Sequence, residues 1–336
     1  MKRYSLILSM LMFLLPSCSG NKNAEELPPP AGYEEPSGDD ESGEEQKTHT
    51  PVTPGSDWTK VSVSDGLTYY SYKKTDPVSA APQVVNVVDV DLSKTRYSVR
   101  FCYNASGTTA SEVMKSKGAV AVTNGGYEAS SIVIKIDGSM YSNMPGNFVM
   151  STSVPNWKSE AAVYTDGERD VQIEFSGKGK DLKEQRAFYL ADKRKYIISS
   201  APMLIDNYDP VGLTFAKANA NVNSLNYEDP DRHQGVRHPR TAIAKTEFGH
   251  LLLITVDGRW SGVSEGMTAK ELTQFLIDNF DPQYALNLDG GGSTTMCVAG
   301  QGDPSTHVVN YPCDNGIYDH SGERSVATHI YIIDNN

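Results

Sequence analysis

TAKELTQFLIDNFDPQYALNLDGGGSTTM, residues 268–296, joins an amphipathic helix to a strand and then to an unusual polar loop. Thr268 and Glu271 have the spacing of a capping box, and Leu272, Phe275, Leu276 and Phe280 recur at helical period. The strand that follows delivers Asp289, three glycines and three hydroxyls in a row. A second stretch repeats the plan. TASEVMKSKG (109–118) has a capping box at Thr109 and Glu112 and a helix-stopping Gly118, and AVAVTNGGY (119–127) ends in Asn124 and paired glycines. The likeness predicts that the two Gly-rich strand ends share one edge of one sheet, with Asn124 and Asp289 facing one cleft.

Most of the remaining chain reads as strands. VVNVVDVDL (84–92), RYSVRFC (96–102), IVIKIDG (132–138), VQIEF (171–175), TAIAK (241–245), HLLLITVDG (250–258) and VATHIYIID (326–334) are short, β-branched and closed by turn formers. Period-2 alternation in several of them predicts antiparallel pairing with one wet face, whereas HLLLITV and the strand before TNG read as buried throughout. The fold class is α+β: a mixed, largely antiparallel β-sheet packed with a few helices, in a single domain over residues 56–336.

The amino-terminal segment has a different character. Lys2 and Arg3 precede an apolar core at Tyr4–Leu15, so residues 1–17 read as a secretory signal peptide. Its twelve residues fall short of the roughly 20 that a membrane-spanning helix needs. Leu15-Pro16-Ser17-Cys18 is similar to a bacterial lipobox, which implies a lipidated Cys18 and a secreted outer-membrane lipoprotein, facing the periplasm or the cell surface. Between residues 20 and 50 there are nine carboxylates against two lysines, more than half of the net charge of −12. Residues 18–55 therefore read as a disordered acidic tether. The domain beyond is mildly acidic with no Lys/Arg stripe, which argues against a nucleic-acid partner. Three cysteines follow Cys18. Cys297 and Cys313, flanking a Gly/Pro-rich loop, are the disulfide candidate, and Cys102 reads as core.

Glycine after a strand permits positive φ and lets backbone N–H groups approach a ligand closely. Gly290, Gly291 and Gly292 therefore suggest an anion nest, with Ser293 and Thr294 adding hydroxyls and Asp289 adding a carboxylate. A ligand that carries both an anion and hydroxyls, such as a phosphorylated sugar, reconciles the two. Arg240 in HPRTAIA follows a proline at a strand's mouth, a position suited to bidentate phosphate binding. Asp257 and Arg259 stand together in VDGR, and Arg324 in GERSV is a further candidate. A calcium site built from Asp257, Asn287 and Asp289 is an alternative use of the same oxygens. The zincin and P-loop patterns do not occur.

TNGGY (123–127), SAPMLI (200–205), HPRTAIA (238–244), VDGR (256–259) and NLDGGGSTTM (287–296) together resemble the phosphodiester glycosidase family over roughly residues 80–334. Two positions depart from its pattern: Glu128 stands where a second aromatic is usual, and Ala244 where glycine is usual. The resemblance implies hydrolysis of the C1–O bond of a sugar-1-phosphodiester, of the N-acetylglucosamine-1-phosphodiester type, or of a phosphoglycan, with no cofactor. Arg240 and the Gly290–Gly292 loop would hold the phosphate. Asp289 and Asp257 are the nucleophile or base candidates, and Asn124, beside Gly125, would position a sugar hydroxyl. Arg259, Glu128, Ser293, Thr294 and Arg324 are supporting binding residues. Two other functions compete: a non-catalytic glycan-binding lipoprotein, and a metal-dependent phosphodiesterase that cuts P–O.

Overall fold

The computed structural model describes residues 49–146, 156–213 and 221–336. The predicted signal peptide, Cys18 and nearly all of the predicted tether lie outside the described residues. The described region forms one compact unit from His49 to Asn336.

Its largest sheet has seven strands, in the order β1 (Trp58–Ser64), β2 (Leu67–Asp76), β3 (Ala81–Asp91), β13 (His250–Val256), β12 (Arg240–Lys245), β14 (Tyr284–Asn287) and β11 (Met203–Asp206). A five-stranded sheet runs β7 (Ser139–Asn143), β6 (Val133–Ile136), β10 (Tyr196–Ser200), β8 (Ala161–Thr165), β9 (Val171–Glu174). A four-stranded sheet runs β15 (Met296–Val298), β5 (Ala121–Asn124), β16 (Val326–Asp334), β4 (Tyr97–Thr108). Every strand pair among the described residues is antiparallel.

The large sheet is covered on both faces, which is why β13 lacks a polar period. Leu251 and Leu253 point into a core shared with residues of the other two sheets, including Ile330, Ile332, Val163 and Ile198. Leu252, Ile254 and Val256 point the other way, onto helix α4 (Ala269–Phe280), where Leu272, Phe275, Leu276 and Phe280 form the apolar stripe expected from their spacing. Each such buried aliphatic or aromatic side chain contributes about 1.5–3 kcal/mol. Ala242 and Ala244 lie on the helix side of β12. The Thr268–Glu271 capping box is present, and Asp281 ends α4 in the left-handed region.

Helix α1 (Ala110–Lys117) also has its predicted capping box and its Gly118 terminus, at φ 63°. Helices α2 (Leu182–Ala191) and α3 (Pro230–Gly235) were not expected from the pattern. Only three residues of α2 are buried, so its apolar signal is weak, although Asp181 and Glu184 form a capping box. Helix α3 is a short segment opened by Asp229 and Pro230.

Candidate active site

The two glycine-rich strand ends do meet, but from different sheets: β14 belongs to the seven-stranded sheet and β5 to the four-stranded one. The Asp289 amide donates to the Gly125 carbonyl (3.1 Å), and Asn124 Nδ2 donates to the Asp289 carbonyl (2.8 Å). Asn124 Oδ1 accepts from Thr241 Oγ1 (2.8 Å) and the Thr295 amide (3.2 Å). Asn124 is thus a buried tie between sheets, with both ends of its amide engaged by protein and none turned to the cleft. Gly125 is packed against Thr328, where a Cβ would fall 2.5 Å from its hydroxyl.

Above this junction opens a cleft of about 520 Å³, lined in part by Asp289, Glu128, Lys158, His233, Ser293 and Arg324. Asp289 is partly buried, and its Oδ1 accepts from the Gly290 amide (2.9 Å). Burial pushes its carboxyl up to about 6; bonds from Ser293 and Gly290 oppose that shift, and the nearby charge of Glu128 adds to it. Arg324 donates to Asp314 through Nε (2.9 Å) and Nη2, and through Nη1 to Ser293 Oγ (3.4 Å). The cleft therefore sets a carboxylate and a guanidinium on one wall, joined through Ser293.

Lys158 also lines the cleft, with its side chain only 5% exposed, 2.7 Å from both Glu128 and Glu228. Its ammonium lies over the Tyr127 and Trp157 rings. Burial works against its charge, but the hydrogen bonds it donates to the two glutamates outweigh that and hold its pKa above the ordinary lysine value.

His233 reaches the cleft from α3. Tyr127 Oη donates to the Ala201 carbonyl (2.7 Å) and accepts from Asn287 Nδ2 (3.2 Å). With the only hydroxyl proton so engaged, His233 Nε2, at 2.8 Å, is the donor to Tyr127, and Nδ1 is left with its lone pair. Burial, then the nearby Arg240 charge, hold this imidazole well below its ordinary pKa, so it is neutral.

Several predicted site residues lie elsewhere. Arg240 is 1% exposed, and its guanidinium donates to three backbone carbonyls: Met267 (2.8 Å), His233 (2.8 Å) and Val236 (2.9 Å). Burial lowers its pKa to about 10. It is a buried peg that holds α3 to β12, not a phosphate clamp on the cleft wall. Asp257 is likewise buried, accepting from Asn310 Nδ2 (3.0 Å) and the Tyr311 amide (3.1 Å). Burial raises its carboxyl to about 7. Its neighbours are Asn310, Tyr311 and Lys73, whereas Asp289 faces Glu128 and Lys158.

The glycine loop also differs from an open nest. The amides of Gly290, Gly291, Ser293 and Thr294 donate to Asp289 Oδ1 and to the carbonyls of Pro239, Gly290 and Gly291 respectively. What the missing side chains provide is room. A Cβ on Gly290 would fall 2.5 Å from the Pro239 carbonyl; one on Gly291, at φ 62°, 3.0 Å from Arg259 Nη2; one on Gly292 would enter the Arg324 guanidinium and lie 2.6 Å from Asp314 Oδ1. Arg259 is thus behind the loop, exposed, with Nη1 3.6 Å from Cys313 Sγ. Thr294 is buried, with its hydroxyl 3.4 Å from that of Thr241.

The expected disulfide is absent: Cys297 and Cys313 are both free thiols. Cys297 lies inside β15, in a buried cluster with Ala110, Val122 and Tyr331, whereas Cys313 lies in the loop beside Arg259. For the calcium alternative, Asp257 is held by Asn310 and Tyr311, and Asn287 Nδ2 is directed at Tyr127, Ala201 and Leu288. Among the described residues no three His, Cys, Asp or Glu side chains gather as a metal set.

Lys158, Glu228 and His233 escaped the sequence reading. His233 follows an Asp-Pro helix start shortly before HPRTAIA, which is a usable signal; Lys158, in NWKS, carries none.

A family model described as phosphodiester glycosidase matches residues 117–333, well over half of the chain. The bovine N-acetylglucosamine-1-phosphodiester alpha-N-acetylglucosaminidase is 34% identical over 85 residues, covering 25% of this chain and 14% of that protein. The SPbeta prophage-derived uncharacterized protein YomE of Bacillus subtilis is 42% identical over 66 residues, 20% of this chain and 10% of its own. The chain thus matches only a small part of either curated relative. A hypothetical protein from Synechocystis shares the fold with a TM-score of 0.55 at 14% identity, over 82% of this chain and 63% of its own. The zebrafish N-acetylglucosamine-1-phosphodiester alpha-N-acetylglucosaminidase catalytic domain, auto-inhibited by its pro-peptide, does so with a TM-score of 0.53 at 19% identity, over 84% and 86%.

Proposed function

Because the chain belongs to the phosphodiester glycosidase family, we propose that it hydrolyses the C1–O bond of a sugar-1-phosphodiester, with Asp289 as the carboxylate at the anomeric carbon. The observation that carries this reading is the wall on which Arg324 donates to Ser293 Oγ while Asp289 lines the same cleft.

An oxocarbenium-like transition state needs a carboxylate, either as nucleophile or as the base that activates water. Asp289 has that chemistry in its ionised form. The departing phosphate ester is a weak base, so electrostatic stabilisation by Arg324 and the Ser293 hydroxyl can replace a strong general acid. Neutral His233, through Nδ1, is an acceptor for a sugar hydroxyl. Glu128 and Glu228, both ion-paired with Lys158, are the other carboxylates in the cleft. Arg240 and Asn124 act on the reaction indirectly, by holding α3 and the Asp289 loop in place.

The same reading keeps the substrate as a sugar-phosphate diester or phosphoglycan, without a cofactor. It also keeps the chain as an outer-membrane lipoprotein tethered through Cys18. Cys18→Ser should release the protein from membranes, and full retention of that variant in the membrane fraction would remove the anchor.

Hydrolysis of a methyl diester of N-acetylglucosamine 1-phosphate in ¹⁸O-water tests the reaction itself. Label is expected in the sugar. Label in the phosphate would instead establish phosphodiesterase chemistry, and no turnover of any sugar-1-phosphodiester would favour a glycan-binding protein.

A further inference from the structure

Behind the cleft, on the other side of Trp157 and α3, is a second cavity of about 440 Å³. Trp157 is the dividing wall. Its indole is 5.6 Å from the Tyr127 ring and 5.0 Å from His233 on the cleft side, and it also lines the second cavity with Phe175. Helix α3 divides its residues in the same way, His233 to the cleft and Asp231 and Gln234 to the cavity.

The cavity is a built feature. The Gly177 amide donates to the Glu160 carbonyl (2.8 Å), and a Cβ on Gly177 would run into the Ser159 carbonyl. Glycine there lets the segment after β9 close down as one wall. Three observations describe the ligand that fits. Gln234 is 3% exposed and lines the cavity, and its side-chain amide makes no hydrogen bond to the described residues. Because that amide borders the cavity, it is available to pair with a ligand hydroxyl. Trp157 and Phe175 supply ring faces, one of them partly covered by Lys178, whose ammonium is 4.5 Å from the Phe175 centroid. Glu160 accepts from the Met203 amide (2.9 Å), and burial pushes its carboxyl up to about 7. A carboxyl that is substantially protonated near neutrality gives a cation little, and Lys178 and Asp231 set one charge of each sign in the lining, so neither ion is favoured. Aromatic faces ringed by an amide and carboxyls suit an uncharged polyol with an apolar face.

We propose that this cavity is a binding site for a neutral hexopyranose ring, separate from the reaction assigned to the cleft. A sugar there would lie back to back with the cleft across Trp157, as one unit of a longer glycan or as a free saccharide.

The test is titration of ¹⁵N-labelled full-length protein with glucose, N-acetylglucosamine and glucose 1-phosphate. It is read at the Trp157 indole N–H, which donates to the Glu228 carbonyl (3.1 Å). The neutral sugars should shift this signal, and not those of Trp58 and Trp260, in wild type and in Arg324→Ala alike. Gln234→Met, which keeps the side-chain shape, and Phe175→Leu should each raise the apparent Kd at least about tenfold, or 1.4 kcal/mol. Thermal melts identify any variant that is unfolded, and the second variant then decides. The proposal is overturned by no shift with either neutral sugar, by unchanged affinity in the folded variants, or by a shift confined to glucose 1-phosphate and lost in Arg324→Ala. The last result would put the sugar in the cleft. No hydrolysis is measured, so failure here and failure of the glycosidase reading are distinguishable.

Discussion

Asn124 Nδ2 donates to the Asp289 carbonyl at 2.8 Å, and through that bond the ends of strands from two different sheets are held as one unit. The Asp289 carboxyl is therefore presented by a rigid junction and not by a free loop. Its position depends on groups that never face the cleft.

Asp289→Asn should lower turnover of a sugar-1-phosphodiester by on the order of 10³-fold while leaving the thermal midpoint nearly unchanged. In wild type, burial raises this carboxyl to about 6, and the ionised form is the reactive one. Activity should therefore rise with pH through about 6 and then level. A pH–rate profile with no acidic limb near 6 would contradict the assignment.

The two arginines separate structure from chemistry. Arg240→Met leaves the carbonyls of Met267, His233 and Val236 without their donor, so it should cost at least about 3 kcal/mol in urea denaturation and lower activity as α3 loosens. Arg324→Ala removes a partly exposed side chain and should leave the denaturation midpoint within about 0.5 kcal/mol. It should nevertheless reduce kcat/KM roughly 100-fold. The reverse pattern would return Arg240 to the phosphate.

This contrast also marks how far the sequence could be read. Strand alternation, two capping boxes and the Gly118 stop are local signals, and the corresponding elements form where those signals lie. The DGGGS loop was conspicuous because three adjacent side chains were missing, but what needed the space was the Pro239 carbonyl and two guanidinium groups distant in sequence. An arginine before a strand looks the same whether it faces a ligand or three buried carbonyls. Likewise, Asn124 and Asp289 could be paired by their like contexts, while the sheets that carry them depend on pairing with β16 and β12, and no local pattern specifies which strands pair.

Asp257 should leave a mark on stability. Its folded carboxyl is raised from 3.8 to about 7, so between these values the folded state holds a proton that the unfolded state has released. Stability from this group is therefore present at low pH and is lost as pH rises through that window, by on the order of a few kcal/mol. Asp257→Asn should flatten the decline in urea stability between pH 5 and 8, measured at half-unit steps. An equal decline in the variant would mean that Asp257 is not the group responsible.

The free thiols should differ sharply in reactivity. Cys297 is fully buried, and burial holds its thiol well above the ordinary value, whereas Cys313 is partly exposed. Brief treatment with a thiol reagent followed by peptide mapping should label Cys313 in the native protein and Cys297 only after denaturation. A reductant should not shift the melting temperature. A linked Cys297–Cys313 peptide under non-reducing conditions would restore the disulfide.

Gly292→Ala tests whether the loop's glycines make room for the cations. The added methyl would enter the space of the Arg324 guanidinium and of Asp314 Oδ1, both ends of flexible side chains, so the fold can yield. The expected result is a displaced Arg324: KM for the phosphodiester rises at least about tenfold with little change in the melting temperature. Gly290→Ala instead meets the Pro239 carbonyl, which is backbone and cannot swing away, so its cost should appear first in stability. If both variants lose stability equally with KM unchanged, the loop's glycines serve backbone geometry alone, and the cation behind Gly292 has no part in binding.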